Sequence, residues 1–81
     1  MRLQVRLFAR ARDLAGADSV VVELPDGATA ADLRRRLVDM HPNLAGLATK
    51  SAVAVNAEFA EDRCVLREDD EIALLPPVSG G

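Results

Sequence analysis

Leu3, Val5 and Leu7 alternate with Arg2, Gln4 and Arg6 at the start of the chain. A period of two predicts a half-buried strand over residues 2–8. The stretch FARARDLAG then changes period. Ala9, Ala11, Leu14 and Ala15 favour a short helix, and Gly16 is a natural stop. Alternation returns over residues 19–24, with Val20, Val22 and Leu24 on one face, predicting a second strand. Pro25-Asp26-Gly27 follows as a turn, because Pro presets φ and Gly permits positive φ.

The main helix opens at Thr29. Thr29 and Asp32 have the spacing of a capping box, in which each residue satisfies a free backbone N–H of the other. Leu33, Leu37 and Met40 recur at i, i+4 and i+7 as one apolar stripe, with Arg34, Arg35 and Arg36 mostly off it. His41-Pro42 ends the helix, since the residue before a proline disfavours the α region. Residues 43–50 read as a loop pinned by Leu44 and Leu47. A third strand is expected over 51–56, a turn at Asn56-Ala57-Glu58, a short fourth strand over 63–66, an acidic turn at Glu68-Asp69-Asp70 and a last strand over 71–75.

The order is strand, short helix, strand, helix, then three strands. The expected class is α+β, a mixed sheet of about five strands with one main helix packed on one face. The opposite face is left wet or covered by a partner.

Composition narrows what such a domain does. The chain has 81 residues, 49% hydrophobic, enough for one small domain with a real core. Aromatic residues are 2%, with no Trp or Tyr, so stacking on bases is a poor binding mode. Net charge is −3, which argues against nucleic acid as a partner. One cysteine forms no internal disulfide, and no apolar run reaches the length of a membrane span. A cytoplasmic location with no membrane partner is expected.

Individual side chains give little chemistry. His41 has no companion His or Cys and is expected to face the dipole at a helix end. Cys64, beside Val65, reads as a buried structural thiol. The Arg34–Arg36 run reads as a solvated helix face. Glu68–Glu71 lacks the alternating ligands of a calcium loop and reads as a solvated turn or a contact for a basic partner. Neither a Ser-His-Asp nor a Cys-His arrangement is available, so no active site is expected on the folded body.

The remaining feature is the end, PPVSGG. No charged side chain occurs from Ile72 to Gly81. Pro76 and Pro77 favour an extended path, and six extended residues reach about 20 Å. Gly80 and Gly81 carry no Cβ, so they suit a narrow channel and leave the terminal carbonyl unhindered. The expected division is a folded domain over residues 1–75 and a flexible extended tail over 76–81.

These residues carry a resemblance. FARARDLAG (8–16), VAVN (53–56) and DEIALLPPVSGG (70–81) resemble the small subunit of molybdopterin synthase, the MoaD-like sulfur carriers of the ubiquitin-like β-grasp fold. The resemblance implies a β-grasp domain that is not an enzyme by itself. It also implies that an ATP- and magnesium-dependent enzyme adenylates the carboxylate of Gly81. A sulfur donor, such as a cysteine desulfurase, then leaves a thiocarboxylate there. The large subunit of the synthase takes that sulfur to cyclic pyranopterin monophosphate, building the dithiolene of molybdopterin. No cofactor and no metal are expected on this chain. Partner contacts are implied for Gly80, Ser79, Val78, Pro77, Pro76 and Arg12, and for Leu75 and Leu74, one of which should face outward. Asp69 stands where the family more often has glycine, and the turn is expected to survive. A carrier for thiamine thiazole synthesis or tRNA thiolation, or a modifier joined to lysines, would use the same terminal carboxylate.

Overall fold

The computed structural model describes residues 1–77; residues 78–81 lie outside the described residues. Five strands form one sheet: β1 (Arg2–Leu7), β2 (Ser19–Glu23), β3 (Ala52–Val55), β4 (Glu58–Ala60) and β5 (Ile72–Leu75). Their order is β2-β1-β5-β3-β4. The central pair β1/β5 is parallel, and all other neighbours are antiparallel. Helices α1 (Ala9–Ala15), α2 (Ala30–Met40) and α3 (Ala45–Ala48) complete the chain, with a 3-10 turn at Pro42–Leu44.

Alternation decides the faces. Leu3, Val5 and Leu7 of β1, Val22 of β2, Val53 of β3, and Ile72 and Leu74 of β5 all enter the core. Leu33 and Leu37 of α2 and Ala11 of α1 meet them there. Each large aliphatic side chain so covered contributes roughly 1.5–3 kcal/mol relative to exposure. The mixed five-stranded sheet with helices on one face matches the expected class; α1 and α3 add to the one main helix.

The helix boundaries follow local chemistry. Gly16, at φ 73°, closes α1 in the left-handed region and donates its N–H to the Arg12 carbonyl at 2.9 Å. Thr29 and Asp32 form the capping box at the start of α2: the Thr29 N–H donates to Asp32 Oδ2 at 2.9 Å, and the Asp32 N–H donates to Thr29 Oγ1. The next two free donors are met from elsewhere. Ala30 N–H reaches the Cys64 carbonyl at 2.9 Å, and Ala31 N–H the Asp62 carbonyl at 3.0 Å.

The Cys64 contact corrects the expected fourth strand. Residues 63–66 do not join the sheet. Their backbone caps α2, with only an isolated bridge between Thr29 and Val65. The open N–H groups of a helix start compete successfully for those carbonyls. The true β4 lies earlier, at Glu58–Ala60, after a tight turn in which Asn56 and Ala57 take φ of 52° and 69°. Two successive positive φ values are the mark of a two-residue hairpin turn, usually written Asn-Gly.

Four further expectations change. Residues 43–50 form the 3-10 turn and α3 rather than a plain loop. Met40 is 38% exposed, and Leu44 enters the core cluster. Cys64 is half-buried and outside any strand. Arg34 is no solvated side chain: it is only 20% exposed, donates to the carbonyls of Ala48 (2.6 Å) and Ser51, and pairs with Asp62 at 3.1 Å. The Arg35 side chain stays solvated, held by Asp32 at 3.5 Å.

The acidic turn forms. Asp70 accepts from the Arg67 N–H at 2.7 Å and from Asn56 Nδ2 at 2.9 Å. Asn56 Oδ1 in turn accepts the Glu71 N–H at 3.0 Å, so one side chain ties the β3–β4 turn to the start of β5. Asp69 is not among the residues with positive φ, and the turn needs no glycine there.

Candidate functional site: the open sheet face at the end of β5

The face of the sheet away from the helices carries the other set of alternating residues. Arg6 of β1 pairs with Ala73 of β5, Ala73 with Ala54 of β3, and Ala54 with Phe59 of β4. Directly paired residues point to the same side of a sheet. Two small residues at the centre therefore leave a shallow groove, lined at its sides by Phe8, Phe59 and Leu75. Phe59 is 79% exposed. The Arg6 guanidinium lies 5.5 Å from the Phe8 ring centroid and gives the rim a positive charge.

The chain has two Phe and neither Trp nor Tyr, and both Phe side chains stand on this face. The core is aliphatic, and both aromatic side chains lie outside it.

β5 links this face to Pro76 and Pro77. Leu75 is half-buried on the open side, and Ala52 is its partner in β3. Pro76 is half-buried and Pro77 exposed, so the chain leaves the sheet at the edge of the groove. Leu74 is fully buried, paired with Leu7 and Val53. It belongs to the core, which removes it from the expected partner contacts. Arg12 is exposed on α1, 3.8 Å from Asp18, and takes no part in the groove. The expected roles of Val78, Ser79, Gly80 and Gly81 fall outside the described residues.

Three contributors to the site were not singled out from the sequence: Arg6, Phe8 and Phe59. Phe8 was legible, because it continues the outward set Arg2, Gln4, Arg6. Phe59 was not, because its strand was placed elsewhere. His41 caps the end of α2 through its N–H to the Leu37 carbonyl at 2.8 Å and lies outside the site. Among the described residues no three His, Cys, Asp or Glu side chains are grouped to hold a metal ion, and no helix is long and apolar enough to cross a membrane.

The model of the ThiS family matches residues 5–81, nearly the whole chain. The chain belongs to the ThiS family. Among relatives of this ThiS-family chain is the molybdopterin synthase sulfur carrier subunit of Chlamydomonas reinhardtii, 36% identical over 83 residues and covering 100% of both chains. Among solved structures, SAMP1 from Haloferax volcanii superposes with a TM-score of 0.88 at 34% identity, covering 100% of each chain. A Caldiarchaeum subterraneum ubiquitin shares the fold at a TM-score of 0.67 and 15% identity, covering 100% of this chain and 98% of the other. The sheet of this ThiS-family chain is thus the ubiquitin-like β-grasp.

Proposed function

We propose that this chain is the sulfur carrier subunit of a molybdopterin synthase. The observation that carries the reading is full-length likeness, at 36% identity, to a relative of that name. The open apolar face at the root of the tail supports it: a carrier needs a surface that docks and a carboxylate that reaches into its partner.

The chemistry follows from the terminus. A free α-carboxylate has a pKa of about 3.3–3.7, is ionised near neutrality and is a poor electrophile. An activating enzyme with ATP and magnesium converts the Gly81 carboxylate to an acyl-adenylate and releases pyrophosphate. A sulfur donor displaces AMP and leaves a thiocarboxylate. The groove lined by Phe8, Phe59 and Leu75 docks on the large subunit, which receives the tail and passes the sulfur to the pterin substrate. The catalytic side chains belong to that partner; this chain supplies the sulfur and the docking surface.

The test is the intact mass of the protein after incubation with ATP, magnesium, the adenylating enzyme of the same cell and a sulfur source. Replacement of one oxygen by sulfur, located at Gly81 by fragmentation, is the expected result. Addition of the large subunit and the cyclic pterin should then return the carboxylate form. A thiocarboxylate that forms but is discharged only by a thiazole or tRNA acceptor overturns the molybdopterin reading. Accumulation of lysine isopeptides on other proteins makes the chain a modifier.

A further inference from the structure

β2 is an edge of the sheet, with β1 on one side and no described strand on the other. Its ladder to β1 fixes which backbone groups are free. The Leu24 N–H donates to the Met1 carbonyl at 3.0 Å, and the Leu7 N–H to the Asp18 carbonyl at 2.7 Å. In an antiparallel ladder, residues bonded to one neighbour alternate with residues whose N–H and C=O turn the other way. Asp18, Val20, Val22 and Leu24 therefore face β1, while Ser19, Val21 and Glu23 turn both groups to the open edge. Those groups meet no backbone partner among the described residues. The sequence SVVVE does nothing to blunt this edge: it holds no Pro, no Lys and no break in register. The opposite edge, β4, is only 3 residues long and carries Glu58. Val21 is 46% exposed. Arg36 and Met40 of α2 line a recess with Val21 and Glu23 at this edge, and Arg36 enters no ion pair among the described residues.

We propose that the β2 edge pairs antiparallel with β2 of a second copy of this chain, about a twofold axis at Val21. In that register Val21 meets Val21 of the second copy, and Ser19 meets its Glu23. Each pair exchanges N–H···O bonds in both directions, so every free group of Ser19, Val21 and Glu23 is met. A slip of one residue would set groups that already serve β1 against the edge, and a slip of two would leave Ser19 or Glu23 without a strand partner. The side chains agree with the backbone. The Val21 side chains cover one another on the open face. Asp18 lies 3.8 Å from Arg12 with its side chain 89% exposed, and it alternates with Val20 and Val22 toward the helix side. In the second copy it falls across from Leu24, at the end of the edge where Arg36 stands without an acidic partner. The twofold axis makes this charge contact twice. An unrelated extended segment need not bring an acid to Arg36, which favours a second copy as the occupant. A strand of 5 residues is far below the roughly 20–30 residues a side of a standard interface, so the pair is weak and concentration-dependent. The groove lined by Phe8, Phe59 and Leu75 lies beyond β1 from this edge, and both copies keep it open.

Sedimentation equilibrium of the full chain from micromolar to millimolar concentration, with amide NMR spectra over the same series, tests the pairing. The expected result is a monomer–dimer equilibrium in which the amides of Ser19, Val21 and Glu23 shift with concentration and those of Glu58–Ala60 do not. Val21→Lys sets ammonium groups face to face across the axis. It should leave a monomer at every concentration while keeping the wild-type melting temperature in dilute solution. The charge contact has its own readout. Asp18→Arg should weaken the dimer roughly tenfold, since the contact is made twice, and adding Arg36→Asp to it should restore the affinity. A monomer throughout, a dimer whose shifting amides lie on β4, a dimer that persists in Val21→Lys, or a double exchange that recovers no affinity each overturns the proposal. Shifts of the β2 amides that appear only when another protein is added assign the edge to that protein and overturn it as well.

Discussion

Leu74 and Leu75 are consecutive residues of β5 that serve opposite faces. Leu74 is fully buried between Leu7 and Val53, while Leu75 lines the open groove with Phe8 and Phe59. Truncation should separate their roles. Leu74→Ala removes a packed core side chain and should cost about 2–5 kcal/mol. Leu75→Ala should cost less than about 1 kcal/mol in stability, within the range of surface changes and small losses, yet weaken binding to the large subunit. Chemical denaturation and a binding titration on both variants check this. Equal stability losses would show that both leucines are core residues.

Phe59 is the side chain most plainly placed for contact. At 79% exposure it adds little to the core. Phe59→Ala should change stability by no more than about 0.5 kcal/mol. As an exposed aromatic anchor at the side of the groove it should cost more than about 1 kcal/mol of binding free energy, measured calorimetrically against the large subunit. Unchanged affinity would take β4 out of the interface.

The capping box gives the fold an acid sensitivity. Hydrogen bonds from the Thr29 backbone, then from its side chain, hold the Asp32 carboxyl below its ordinary value of 3.8, against an opposing effect of burial and with a lesser contribution from Arg35. A carboxyl whose pKa is lowered on folding adds stability above its unfolded pKa, about 3.9. That stability is lost as pH falls through the lower folded value. The stability gap between wild type and Asp32→Asn should therefore be constant near neutrality and close in acid. Urea unfolding from pH 7 to pH 2.5 measures it. A gap that widens in acid would contradict the capping role. Thr29→Ala should cost roughly 0.5–2 kcal/mol at neutral pH, as loss of an N-cap does.

The β3–β4 turn holds Ala57 at φ 69°, where a Cβ is strained. Ala57→Gly should relieve that strain and stabilise the protein by about 1 kcal/mol, less the greater freedom of glycine in the unfolded chain. Thermal unfolding decides the sign. A fall in melting temperature would mean that Ala57 contributes packing in the groove that outweighs its backbone strain.

The sequence by itself determined the elements that local chemistry encodes. Alternation placed Leu3, Val5 and Leu7 inside and Arg2, Gln4 and Arg6 outside. Thr29 and Asp32 marked the start of α2, and Gly16 the end of α1. The tertiary structure decided what depends on groups far apart in the chain. The turn at Asn56-Ala57 was legible, but the strand after it, Glu58–Ala60, is three residues long and too short to show a period of two. Residues 63–66 looked like a strand, but the Cys64 carbonyl is taken by the open Ala30 N–H at the start of α2, beside the Asp62 carbonyl taken by Ala31. Arg34 looked solvated until the carbonyls of Ala48 and Ser51 folded against it. The side taken by Leu74 and Leu75 was open because Ile72 to Leu75 is apolar throughout, with no polar residue to mark a face. Only pairing with β1 and β3 fixes which leucine is inside, and with it the groove in which Phe8, Phe59 and Leu75 meet.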